Sequence, residues 1–188
     1  MVKENTELMA EARESLSGNW GLAIATFLVY GIIISIFQVI PTVGPVLVLF
    51  IAGPMLVGIS MFSLSLSRGE NARLEQIFEG FKNYGTVLGA YLLMVVLILL
   101  WMLLLIIPGI IAAIAYSQTF YILAEDDAIS SMDALKKSKE MMDGYKWKYF
   151  CLGLRFIGWA LLCILTLGIG FLWLSPYIQI SYAKFYED

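Results

Sequence analysis

The chain has 188 residues, 60% of them hydrophobic and 14% charged, with a mean hydropathy of +0.82 and a formal net charge of -3. So few polar side chains cannot coat a water-soluble globule of this size, and nothing in the charge balance fits nucleic acid as a partner; the composition fits hydrocarbon as solvent. A spanning helix takes about 20 apolar residues, so the length allows six spans with short connections, forming one membrane domain over 1–188 and no second one.

The first segment, Met1 to Ser17, carries Glu4, Glu7, Glu11 and Glu14 ahead of any apolar run. That acidity is wrong for a cleavable secretion signal, so the first span is expected to remain in the mature protein. Within the segment Leu8, Met9, Ala12 and Leu16 form an apolar stripe at helical spacing. Apolar stretches follow at Trp20 to Ile40 and Val46 to Leu66, separated by a Pro41 to Pro45 break that reads as a tight turn. A charged stretch comes next, in which Leu74, Ile77, Phe78 and Phe81 fall at i, i+3, i+4 and i+7; this predicts a short amphipathic helix whose other face carries Arg73, Glu75 and Glu79. The third and fourth stretches, Val87 to Ile107 and Ile110 to Leu123, are broken by Pro108-Gly109. After the acidic run Glu125-Asp126-Asp127, a weaker stripe of Ala134, Leu135, Ser138 and Met142 is preceded by Ser130 and Asp133, a variant of the capping box. The fifth and sixth stretches, Trp147 to Leu167 and Ile169 to Phe185, meet at Gly168 and Gly170.

These elements predict an all-α, polytopic membrane helical bundle of about six transmembrane helices. The twelve Lys and Arg residues lie between the hairpins, at the two ends of the chain, or at Arg155, and the breaks inside the hairpins carry none. By the positive-inside tendency the charged segments and both termini face the cytoplasm. Asn19-Trp20-Gly21 reappears as Asn83-Tyr84-Gly85 and, less closely, as Gly144-Tyr145-Lys146-Trp147. This spacing divides the chain into three repeats, 1–67, 68–127 and 128–188, each an amphipathic helix followed by a helical hairpin; shared composition is the alternative source of the likeness. Trp20, Tyr84 and Trp147 stand at the start of the first span of each repeat, where interfacial aromatics anchor at headgroup level.

The run Pro108-Gly109-Ile110, with Tyr116, Tyr121, Glu125, Ala134, Ser138, Gly144 and Trp147, resembles the signature of a bacterial integral-membrane family known as domain of unknown function 975. More loosely it is similar to the membrane-embedded portion of certain glycerophosphodiester phosphodiesterases. The resemblance implies a six-span, multi-pass protein of the bacterial cell membrane. It carries no catalytic residue across, because the hydrolytic unit of those enzymes is a separate soluble domain.

The chain has no histidine, which removes the commonest general base and the commonest metal ligand together. No phosphate loop or dinucleotide fingerprint occurs. Cys151 and Cys163 match no metal or disulfide spacing and read as free thiols. No catalytic, cofactor or metal residue is therefore predicted; Glu125-Asp126-Asp127 reads either as a solvated loop or as a cation ligand set. Arg155, eight residues into the fifth span, is the candidate for an intramembrane polar site. Counted from the cytoplasmic ends of their spans, Ser60, Gln118 and Gln179 lie about 9 to 10 Å deep at 1.5 Å per residue, with Thr119 beside them. Three readings stay open: Arg155 snorkels to lipid phosphates, the polar residues tie helices together, or they bind an anionic headgroup or solute. Pro54 and Pro176 are expected to kink the second and sixth spans. Two functions follow, a non-enzymatic lipid-interacting or membrane-organising protein and a small permease, channel or substrate-binding subunit. Expected partners are membrane lipids and a second copy or another membrane protein.

Overall fold

A computed structural model describes residues 3–41 and 43–188. Met1, Val2 and Thr42, the last within the expected Pro41 to Pro45 turn, lie outside the described residues. The elements in chain order are α1 (Asn5–Leu16), α2 (Trp20–Gln38), α3 (Gly44–Ser67), a 3-10 helix (Leu74–Phe81), α4 (Tyr84–Leu104), α5 (Ile106–Ala115), α6 (Thr119–Glu125), α7 (Ser131–Met141), α8 (Lys146–Leu165) and α9 (Phe171–Glu187). The described residues contain no strand. An all-helical solution satisfies backbone groups within each segment, as hydrocarbon requires.

Five helical stretches are long and apolar enough to cross a membrane: α2, α3, α4, the Ile106–Glu125 stretch made of α5 and α6, and α8. The sixth expected span, α9, has 17 residues with Lys184 in its last turn, and so falls short of the others. Burial separates an inner from an outer set. Over its most apolar stretch α3 is 56% buried, whereas α2, α4 and α8 are each 11% buried and turn most of their side chains outward. Where the sequence places turns, prolines sit inside helices instead: Pro45 and Pro108 fall in the first turns of α3 and α5. A first-turn N–H has no intrahelical partner, so proline costs nothing there. The break between α4 and α5 falls at Leu105, the single extended residue between them.

Two of the three short helices, α1 and α7, turn their apolar stripes inward. Leu8, Ala12 and Leu16 of α1 are fully buried, and so are Ala134 and Ser138 of α7. Each short helix docks on the hairpin that precedes it in cyclic order. The 3-10 helix packs on α2 and α3, α7 on α4, α5 and α6, and α1 on α8 and α9, which closes the ring. Particular contacts fix each docking: Ser131 Oγ donates to the Thr86 carbonyl at 2.6 Å, Asn5 Nδ2 to the Lys148 carbonyl at 3.0 Å, and the Tyr177 hydroxyl to the Met9 carbonyl at 3.2 Å. In the 3-10 helix the three-residue turn aligns Leu74, Ile77 and Gly80 rather than the expected α-helical set. Ile77 is therefore buried while Phe78 and Phe81 stay exposed.

Candidate functional site

The second helices of the three hairpins, α3, α6 and α9, form the centre, with α3 packed against the other two. Leu64, Tyr121 and Ala183 fill that centre, none more than 4% exposed. Tyr121 stacks on Tyr186 with ring centroids 5.3 Å apart, donates its hydroxyl to the Gln179 carbonyl at 3.2 Å and accepts from Gln179 Nε2 at 2.9 Å. At one end of this plug the C-termini of all three inner helices converge. Arg68, just past α3, bonds Glu187 Oε1 of α9 at 2.9 Å and also pairs with Glu125 of α6. The Tyr186 hydroxyl donates to Glu125 at 2.7 Å, Ser67 Oγ donates to Glu187, and Lys184 donates to the Ser67 carbonyl. Three helix ends with partial negative charge meet here, so an arginine among them is electrostatically favoured as well as hydrogen-bonded. The hydrogen bond that the Arg68 guanidinium donates to Glu125 holds its pKa above the ordinary value.

A second polar locus lies where the fourth span breaks. α5 ends at Ala115 and α6 begins at Thr119, which frees backbone groups inside a stretch expected to be continuous. One hydroxyl repairs both sides of the break: Ser138 Oγ donates to the Ala115 carbonyl at 2.9 Å and accepts from the Gln118 amide at 3.2 Å. Irregular backbone at such a place is tolerated where protein supplies the missing partners. Gln118 is 1% exposed and donates through Nε2 to Ser117 Oγ at 3.0 Å, while its Oε1 has no partner among the described residues. It borders a cavity of 130 Å³ shared with Met142, Tyr145, Lys148 and Asp188. Lys148 Nζ lies 2.5 Å from the Asp188 carboxylate, which also accepts the Lys3 amide at 3.0 Å. Partial burial opposes ionisation of Asp188, but the Lys148 and Lys3 contacts outweigh it and hold the carboxyl below its ordinary range.

The polar residues expected to share one site with Arg155 are not brought together. Ser60 Oγ donates to Leu56 of its own helix at 2.9 Å, Thr119 Oγ1 to the Tyr116 carbonyl at 2.8 Å, and Gln179 is committed to Tyr121. Arg155 is exposed and, among the described residues, makes no hydrogen bond or ion pair with any of them. Being fully or nearly buried, Ser60, Gln118 and Thr119 had to find partners locally, whereas Arg155 points away from the inner helices. The acidic run is also divided: Glu125 faces Arg68, Asp126 accepts from the Ala128 amide at 3.0 Å, and the Asp127 carbonyl accepts from Asn83 Nδ2. Trp20 and Tyr84 open α2 and α4, and Trp147 sits one residue inside α8, 72% exposed. The Arg68, Glu125 and Glu187 cluster was missed. Its signal was positional, since the three residues stand at or just past the C-terminal ends of α3, α6 and α9.

The fold and its apolar outer helices define an all-α polytopic membrane protein. A family model described as "Protein of unknown function (DUF975)" matches residues 1–114 and 102–188. These matches cover the whole chain, which belongs to that family. No curated protein and no solved structure matches it.

Proposed function

We propose that this chain is a non-enzymatic, multi-pass protein of the bacterial cell membrane, with both termini at the cytoplasmic face, that acts by contacting and organising lipid. The observation that carries this reading is the filled centre. Leu64, Tyr121 and Ala183 occupy the place where a pathway between the repeats would run, and the Arg68, Glu125 and Glu187 cluster ties its end. Meanwhile α2, α4 and α8 turn long apolar flanks outward, with Leu99, Leu103 and Ile157 each more than half exposed. Lipids are the partners this implies, and the same flanks suit a second copy or another membrane protein. Acyl-chain contact falls to the spans, because the apolar stripes of α1 and α7 are spent on packing.

The permease reading draws on a different observation, the interrupted fourth span with the unpartnered Gln118 carbonyl beside a cavity; broken helices line binding sites in many transporters. Flux separates the two. Reconstituted vesicles should remain tight to a panel of ions, sugars and amino acids, and the protein should be more stable in one lipid mixture than another. Solute flux that Gln118→Leu abolishes would replace the lipid reading with the transport one.

A further inference from the structure

Two apolar grooves open on the outer surface, each where a short helix docks on a hairpin. One, of 260 Å³, lies between α1 and the α8–α9 hairpin, with Arg13 at its rim. The other, of 210 Å³, lies between α7 and the α4–α5 hairpin, with Lys139 and Lys146 at its rim. They are the same place in two repeats. Gly18 and Gly144, which follow α1 and α7 with φ of +83° and +81°, are offset by 144 − 18 = 126, and that offset carries Arg13 onto Lys139. The inner-helix ends Glu125 and Glu187 are offset by 187 − 125 = 62, and that offset carries the wall residues Ile111, Ala112 and Ala115 onto Trp173, Leu174 and Tyr177.

At the third equivalent position the short helix closes directly on α3. Its short helix presents Ile77 where the others carry a cation, by the 83 − 19 = 64 offset of the Asn-aromatic-Gly motif. A Cβ on Gly58 of the facing wall would lie 2.1 Å from the Ile77 carbonyl oxygen, so the two backbones are already in contact there. Cation and groove thus occur together twice, and where Ile77 replaces the cation the two backbones meet instead.

We propose that the two grooves are a pair of binding sites for anionic phospholipid, with the phosphate at Arg13 or at Lys139 and Lys146 and an acyl chain along the apolar wall. This rests on the lipid-contacting reading above and names its sites. Charge complementarity selects the occupant. Neither Arg13 nor Lys139 has an ion-pair partner among the described residues, and Lys146 has only the 86% exposed Asp143 at 3.4 Å. The Arg13 guanidinium rests over the Tyr177 ring, 5.6 Å from its centroid, which aims it along the groove. No carboxylate lines either groove to receive the ammonium of a zwitterionic headgroup. Tyr116, in the second groove, has a hydroxyl with no hydrogen bond among the described residues and adds a donor for the phosphate.

The test is native mass spectrometry of the full chain released from phosphatidylcholine nanodiscs doped with phosphatidylglycerol. Wild type should retain two phosphatidylglycerol molecules, Arg13→Gln one, the Lys139→Gln/Lys146→Gln pair one, and all three changes together none. Arg13→Lys, which keeps the charge, should retain two and controls for folding. Undiminished phosphatidylglycerol on the triple variant would overturn these sites while leaving the lipid-contacting reading in place. Equal retention of the two lipids by wild type, with no difference in its thermal stability between them, would take that reading down as well.

Discussion

The docking of the 3-10 helix on α3 and the docking of α7 on the α5–α6 break solve one problem in opposite ways. On α3, glycines remove the side chains altogether: besides Gly58 against Ile77, a Cβ on Gly80 would lie 2.1 Å from the Pro54 carbonyl oxygen. The result is a dry contact of backbone on backbone, with no room for a side chain between them. On α5 the 125 − 68 = 57 offset of the inner-helix ends Arg68 and Glu125 carries Gly58 onto Ala115; there the helix stops, and Ser138 bridges the exposed carbonyl and amide with its own hydroxyl. That docking stands further off and leaves a groove. Small residues at a helical interface therefore decide both how tightly a short helix seats and whether lipid-sized space remains beside it.

The largest expected effect breaks the dry contact. Gly58→Ala should destabilise the protein by about 3 kcal/mol, since the obstructing atom is main chain and neither helix can yield alone. Thermal unfolding in a fixed detergent checks this, and a loss under about 1 kcal/mol would mean that the contact is looser than the backbone approach implies. Next comes the polar docking. Ser138→Ala leaves a buried carbonyl and a buried amide unpaired and should cost about 2 kcal/mol, with Ser138→Thr recovering part of it.

Arg68→Gln tests the tie at the inner-helix ends. The Arg68 side chain is 39% exposed, so solvent screening limits the expected loss to about 1 kcal/mol, smaller still at high salt. A loss as large as that from Gly58→Ala would show that the cluster, and not the dry contact, dominates the closed centre. Asp188 gives a pH-dependent effect of smaller reach. Its carboxyl is held below the ordinary range in the folded protein, so its contribution is present above the unfolded carboxylate value of about 3.9 and is lost as pH falls through the lower folded value. Asp188→Asn should flatten that part of the acid-unfolding profile, and identical profiles would show that the Lys148 and Lys3 contacts do not couple to folding. The smallest effect is expected from Phe78→Ala, within about 0.5 kcal/mol, because the three-residue turn leaves Phe78 47% exposed.

The sequence by itself determined the class of protein. Its hydrophobic runs exceed what a soluble core holds, the spacing of Pro, Gly and charge marks three hairpins, and Ser130 with Asp133 caps α7 as expected, the Asp133 amide donating to Ser130 Oγ at 3.2 Å. Family membership was legible in the residues from Pro108 to Trp147. Depth counting places residues along a helix but not around it, so it could not foresee that Ser60, Thr119 and Gln179 bond to partners other than Arg155. Partner choice among the short helices was also beyond reach, since an apolar stripe states that a face is buried and not against what. Only the tertiary structure decided that the stripes of α1 and α7 close on the preceding hairpins, that α3, α6 and α9 meet through Arg68, Glu125 and Glu187, and that grooves open beside α1 and α7. Those outcomes depend on contacts between residues far apart in the chain, such as the backbone approach of Ile77 to Gly58 and the bridge from Ser138 to the Ala115 carbonyl.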